Sequence, residues 1–152
     1  MTKVKICGIT NYRDAVDAID CGADAVGFVL ARSPRQVTPD QARNIIGKLP
    51  PFVIKAGVFV NAPLKEVSSL INYCGFNLVQ LHGDEPREYC RRLYPFALKV
   101  FRSNADSAPT RSLPRHRRGS GLRYGSVIKL IKQYSMRNFM LDSGYGGTGK
   151  SV

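Results

Sequence analysis

Short apolar runs alternate with amphipathic stretches from the first residues of this chain, and that alternation narrows the available folds more than any other feature. Strand-like runs are expected at 4–7, 25–30, 54–60, 78–81, 97–101 and 138–142. Stretches of helical period lie between them at 12–20, 39–49, 64–73, 86–94 and 126–134. The strand runs are short and almost uniformly apolar, whereas the longer stretches repeat apolar residues every three to four positions. Six strands alternating with five helices specify a parallel α/β architecture, because each crossover helix lets the next strand run in the same direction. Local signals agree with the boundaries. Asp20-Cys21-Gly22 closes the first helix with a glycine free to turn left-handed, and Thr38-Pro39 opens the second with proline in its first turn.

Parallel sheets carry their chemistry at the C-terminal ends of the strands. Cys7 ends strand 1, Ser33-Pro34-Arg35 follows strand 2, Asn61 strand 3, His82 strand 4, and Asp142 ends strand 6. A barrel would gather these residues on one rim, and an open sheet would spread them along an edge. In a barrel, the thiol of Cys7 and the carboxyl of Asp142 would meet as a general base and a general acid. Bland readings stand beside these. A lone cysteine in an apolar strand is most often a small core residue. Asp142 could be a solvated loop acid and Arg35 a surface charge, while Cys21, Cys74 and Cys90 read as structural. No GxGxxG or Walker pattern follows strand 1, which argues against a nucleotide site.

Length fits one domain over residues 1–152, and 43% hydrophobic with 22% charged residues is the balance of an ordinary globular protein. No apolar stretch approaches the roughly 20 residues that cross a bilayer. The chain opens directly into its first strand, leaving no room for a leader peptide. The four cysteines lack CxxC spacing and disulfide-scaffold density, so a reducing cytoplasm is expected. The net charge of +12 would normally raise nucleic acid as a partner. Six arginines and one acid between Arg102 and Arg123 account for five of those charges, however, and the rest of the chain is only mildly basic. Residues 103–125 have no hydrophobic period and read as a disordered insertion or a frame or splicing artefact. An eight-stranded barrel takes at least about 200 residues, so two βα units are expected to be missing after strand 6.

Six segments, in order, resemble the phosphoribosylanthranilate isomerase family of tryptophan biosynthesis. They are Lys5-Ile6-Cys7-Gly8-Ile9-Thr10, Gly22 to Phe28, Ser33-Pro34-Arg35, Gly57 to Asn61, Val79 to Glu85, and Leu141-Asp142-Ser143 with Gly146-Gly147-Thr148-Gly149-Lys150. The resemblance implies a (β/α)8 barrel, incomplete here, that performs an Amadori rearrangement on a small phosphorylated substrate without cofactor or metal. It gives Asp142 the role of protonating the furanose oxygen and Cys7 that of removing the C2 proton. Arg35 would bind the anthranilate carboxylate, where a planar fork suits better than lysine.

Gln80 and His82 are placed with the substrate by the same resemblance. Two roles stay open for His82, lining the pocket or hydrogen-bonding backbone in the turn after strand 4. Gly146 and Gly147 could cradle a phosphate through backbone amides or form a mobile lid. In this family the phosphate is held chiefly by loops after strands 7 and 8. Two other functional classes remain: a catalytically impaired fragment of the enzyme, and a basic nucleic-acid-binding module built on the arginine-rich segment. Oligomeric state is left open.

Overall fold

The structure, a computed structural model, describes residues 2–102, 124–134 and 138–142. Its elements are β1 (Lys5–Cys7), α1 (Tyr12–Asp20), β2 (Ala25–Val29), α2 (Pro39–Ile46), β3 (Ile54–Phe59), α3 (Leu64–Cys74), β4 (Leu78–Leu81), α4 (Arg87–Arg92), β5 (Ala97–Arg102), α5 (Tyr124–Tyr134) and β6 (Phe139–Asp142). They fall into two compact units, Met1–Leu98 and Lys99–Val152, with β5 crossing the boundary. In the first unit β1, β2, β3 and β4 pair in chain order, all parallel. In the second, β5 pairs parallel with β6.

Helix ends are fixed by side chains the sequence supplies locally. Asn11 caps α1, its Oδ1 accepting from the Asp14 amide at 2.9 Å. At the other end Gly22, with φ +93°, donates to Ile19 O while Ala23 donates to Ala18 O, the pair of bonds of a Schellman turn. Thr38 and Gln41 form a reciprocal capping box on α2, with Pro39 in the first turn. The helix expected to reach residue 49 stops at Ile46. Gly47 caps it, and Lys48 and Leu49 turn through bonds to carbonyls three residues back, ahead of Pro50-Pro51. In the second unit α5 starts at Tyr124, so Tyr124 and Gly125, expected to belong to the arginine-rich segment, form its first turn. The remainder of that segment, 103–123, lies outside the described residues.

The two faces of the first unit's sheet differ in what they pack against. Phe28 and Phe59 each lie 6.2 Å, ring centre to ring centre, from Phe76 in the α3–β4 connection. A Cβ on Gly57 would sit 2.8 Å from the Phe59 ring and 2.9 Å from that of Phe76, so this glycine makes room for an aromatic cluster on the helix-covered face. Lys55 is buried on β3, yet its ammonium donates to Pro50 O at 2.7 Å and Pro51 O at 3.2 Å. Burial lowers its pKa, and the two carbonyls are what make a buried cation tolerable there.

Candidate active site

Cys7 is the last residue of β1, half-buried, and faces Gly27 of β2 in register. A Cβ on Gly27 would lie 3.0 Å from Cys7 Sγ, so these residues share the sheet face opposite the phenylalanine cluster. Side chains alternate along a strand. With the parallel registers, that period places Lys5, Cys7, Ala25, Val29, Ala56, Val58, Leu78 and Gln80 on the same face.

Beyond Cys7 the chain turns sharply. Gly8 adopts φ +88°, and Gly8 and Ile9 amides both donate to Gly27 O at 2.9 Å. Arg35 reaches back from the β2–α2 connection to this point, its Nη1 donating to Cys7 O at 3.1 Å. Its Cδ would stand 2.7 Å from a Cβ on Gly8, so the bare glycine backbone is the bed on which the guanidinium lies. Among the described residues Arg35 has no carboxylate partner, which leaves most of its donor fork for an external anion. The structure thus brings together Cys7 and Arg35, which lie 28 residues apart in sequence.

Gln80 is 3% exposed, and its Nε2 lies 3.1 Å from His82 Nδ1. The other amide atom, Gln80 Oε1, is fully buried and has no hydrogen-bond partner among the described residues. Such an orphaned acceptor is costly, about 1–3 kcal/mol, unless a ligand supplies a donor. The neighbouring candidate, Asn61, is used differently. It holds φ +53° at the end of β3, and its Oδ1 accepts the Asp84 amide at 2.7 Å. Asp142, the last residue of β6, is half-buried in the second unit and pairs in register with Arg102. Gly146 and Gly147 lie outside the described residues.

Sequence reasoning missed three residues here. Lys5 stands two positions before Cys7 on a strand, a period-2 signal that was available in the sequence. Gly27 matters through its lack of a side chain. Glu85, 2% exposed, accepts the amides of Asn61 at 2.9 Å and Gly83 at 3.1 Å, and no local pattern distinguishes it from a surface acid. Burial, with the Glu85 charge as a lesser cause, pushes the nearby Tyr89 hydroxyl up to about 12, and that hydroxyl donates to Ala62 O at 2.9 Å. Cys74, also pushed up by burial, donates weakly to Pro39 O, which fits its reading as structural.

A separate cleft of about 530 Å³ is lined by Leu30, Gln36, Val37, Thr38, Pro39, Glu66 and Leu70, none of them a candidate residue. Among the described residues no group of three or more His, Cys, Asp or Glu side chains is placed to hold a metal ion. Nor is any helix among them long and apolar enough to cross a membrane.

Comparison with known proteins decides what this rim belongs to. The model of the N-(5'-phosphoribosyl)anthranilate isomerase family matches residues 4–117. The chain belongs to this family. The isomerase of Pelobacter propionicus is 40% identical over 156 residues, a match covering 99% of this chain and 66% of that protein. Among solved structures, a phosphoribosylanthranilate isomerase in complex with reduced 1-(o-carboxyphenylamino)-1-deoxyribulose 5-phosphate superposes with TM-score 0.77. It is 35% identical, over 93% of this chain and 65% of that one. The Thermus thermophilus isomerase gives TM-score 0.76 at 33% identity, over 99% and 67%. The fold is therefore that of the (β/α)8 barrel, six strands of which are present among the described residues. The family match runs to residue 117, well into the arginine-rich segment. Against the curated isomerases of Pelobacter propionicus and Syntrophus aciditrophicus, the chain spans 66% and 59% of their length.

Proposed function

We propose that the chain catalyses the rearrangement its family is named for, converting N-(5-phosphoribosyl)anthranilate to 1-(2-carboxyphenylamino)-1-deoxyribulose 5-phosphate. The observation that carries this reading is the Arg35 guanidinium lying across Gly8 and bonded to Cys7 O at 3.1 Å. It puts an anion-binding fork beside a half-buried thiol. The substrate carries its carboxylate ortho to the amine that is bonded to the reacting sugar. An anchor for that carboxylate next to the base is what the chemistry requires.

In this reading Asp142 protonates the furanose oxygen as the C1–O bond breaks and the anilino nitrogen lone pair forms C1=N. The thiolate of Cys7 then removes the proton from C2. The C–H electrons form C1=C2, the imine π electrons return to nitrogen, and the resulting enol tautomerises to the C2 ketone. Gln80 and His82 belong to the substrate pocket, the orphaned Gln80 Oε1 being an acceptor in need of a donor. Gly146 and Gly147 would offer backbone amides to the substrate. No cofactor or metal takes part in these steps. Free thiols at all four cysteines suit a reducing cytoplasm as the place of action.

The test is a turnover assay following the loss of substrate fluorescence. Cys7→Ser should lower kcat by about 10²–10⁴, with a much smaller change in KM, since a hydroxyl is a poor base in place of a thiolate. Near wild-type turnover by Cys7→Ser would refute the assignment.

A further inference from the structure

We propose that Gln80 Oε1 accepts the C3 hydroxyl of the substrate's sugar, which makes Gln80 a specificity-determining residue that selects a pentose carrying that hydroxyl. The inference rests on the proposed isomerase reaction and adds to it the substrate atom that Gln80 reads. Gln80 is 3% exposed and lies on the sheet face that includes Cys7. Its strand neighbours on that face have no hydrogen to donate: Val58 stands opposite it in register, and Leu78 precedes it by two. Its amide nitrogen lies 3.1 Å from His82 Nδ1, while Oε1 is fully buried without a partner among the described residues. An apolar side chain of the same shape would cost the fold less here, so the retained carboxamide points to a ligand.

The substrate's own chemistry singles out the group. A carboxamide oxygen needs a donor, and the substrate's carboxylate, phosphate and ring oxygen are acceptors. The anilino N–H closes a hydrogen-bonded ring onto its own ortho carboxylate. The closed furanose is then left with its C2 and C3 hydroxyls. The C2 oxygen becomes the ketone, which would face Oε1 lone pair to lone pair in the product. The C3 hydroxyl is untouched by every step, so its bond to Gln80 holds from substrate to product and favours binding rather than the chemical step. His82 follows Gln80 toward the rim on the same face and continues the ladder, its amide donating to Phe59 O at 2.8 Å. A fully buried atom is reached only when a neighbour gives way, and the half-buried His82 is that neighbour.

The test is a calorimetric titration of the intact chain with reduced 1-(o-carboxyphenylamino)-1-deoxyribulose 5-phosphate and with its 3-deoxy counterpart. The wild type should bind the 3-deoxy compound about 5- to 150-fold more weakly, because Oε1 then stays unpaired. Gln80→Met should lower affinity for the reduced product by a similar factor and bind the two compounds alike. In turnover it should raise KM with a far smaller change in kcat. It should also raise the thermal midpoint by roughly 2–10 °C, since the orphaned acceptor is gone from the free protein. A carboxamide kept for the fold alone would instead lower that midpoint on removal. Equal wild-type affinities for the two compounds overturn the inference, as does a Gln80→Met variant that melts lower and binds unchanged. Should Gln80→Met fail to fold, the wild-type comparison decides alone. A wild type that binds neither compound and turns over no substrate removes the proposed reaction and this inference with it, whereas equal binding of both removes only the role of Gln80.

Discussion

The rim after β1 and β2 and the rim after β3 and β4 are built on the same parallel ladder, yet they treat their polar groups in opposite ways. After β3 and β4 the chain is bonded to itself. The buried Glu85 carboxylate accepts the Asn61 and Gly83 amides, Asn61 Oδ1 accepts Asp84, and a Cβ on Gly83 would collide with Asn61 Oδ1. After β1 and β2 the polar groups are held in place but not used up. Arg35 makes one bond to Cys7 O, and Lys5 has no carboxylate partner among the described residues. A satisfied network rigidifies a loop, whereas groups fixed in position with spare bonding capacity are what a ligand can engage. Gln80 of β4 is the exception on the second rim, its Oε1 buried and without a hydrogen-bond partner among the described residues, on the same sheet face as Cys7.

That contrast can be broken by substitution. Arg35→Ala should raise KM by about 10- to 150-fold, the loss of a charge-assisted contact of about 1.5–3 kcal/mol. It should leave the thermal midpoint nearly unchanged, because the guanidinium lies over the surface of a loop. A large drop in melting temperature with unchanged KM would make Arg35 a structural clamp. Glu85→Ala should do the reverse, destabilising the fold by about 2–3 kcal/mol by orphaning backbone amides, with substrate affinity of the folded fraction little changed. Denaturant unfolding of that variant checks it, and an unaltered midpoint would show that the second rim does not depend on its buried acid.

The smallest effect sharpens the comparison at the opposite end of the ladder. The Lys3 ammonium, and after it the Val4 amide, hold the exposed Asp24 carboxyl below its usual range. A depressed carboxyl contributes stability above its unfolded value, near pH 4, and the contribution is lost as pH falls through the lower folded value. Asp24→Asn should therefore flatten the acid limb of the stability curve below about pH 4, a small change because the pair is solvent-exposed. An identical acid limb in the variant would show that this pair does nothing for the fold.

Much of this molecule could be read from the chain directly. Helix starts at Asn11 and Thr38 and the left-handed stop at Gly22 depend on neighbours within five residues, so local sequence contains both partners of each bond. The two periodicities placed all six strands and five helices, missing mainly at ends such as α2, where Gly47 closes the helix before its apolar pattern runs out. Cys7 at a strand end was visible for the same reason.

What only the tertiary structure decided is which distant residues meet. Arg35 reaches Cys7 across 28 positions, and Glu85 reaches Asn61 across 24. Gly27 matters because the β1–β2 register sets it opposite the thiol. Periodicity states which way a side chain points, but not which residue of the next strand it will face. A parallel register is fixed by the packing of whole crossovers, and a glycine's importance lies in neighbours that no local pattern names.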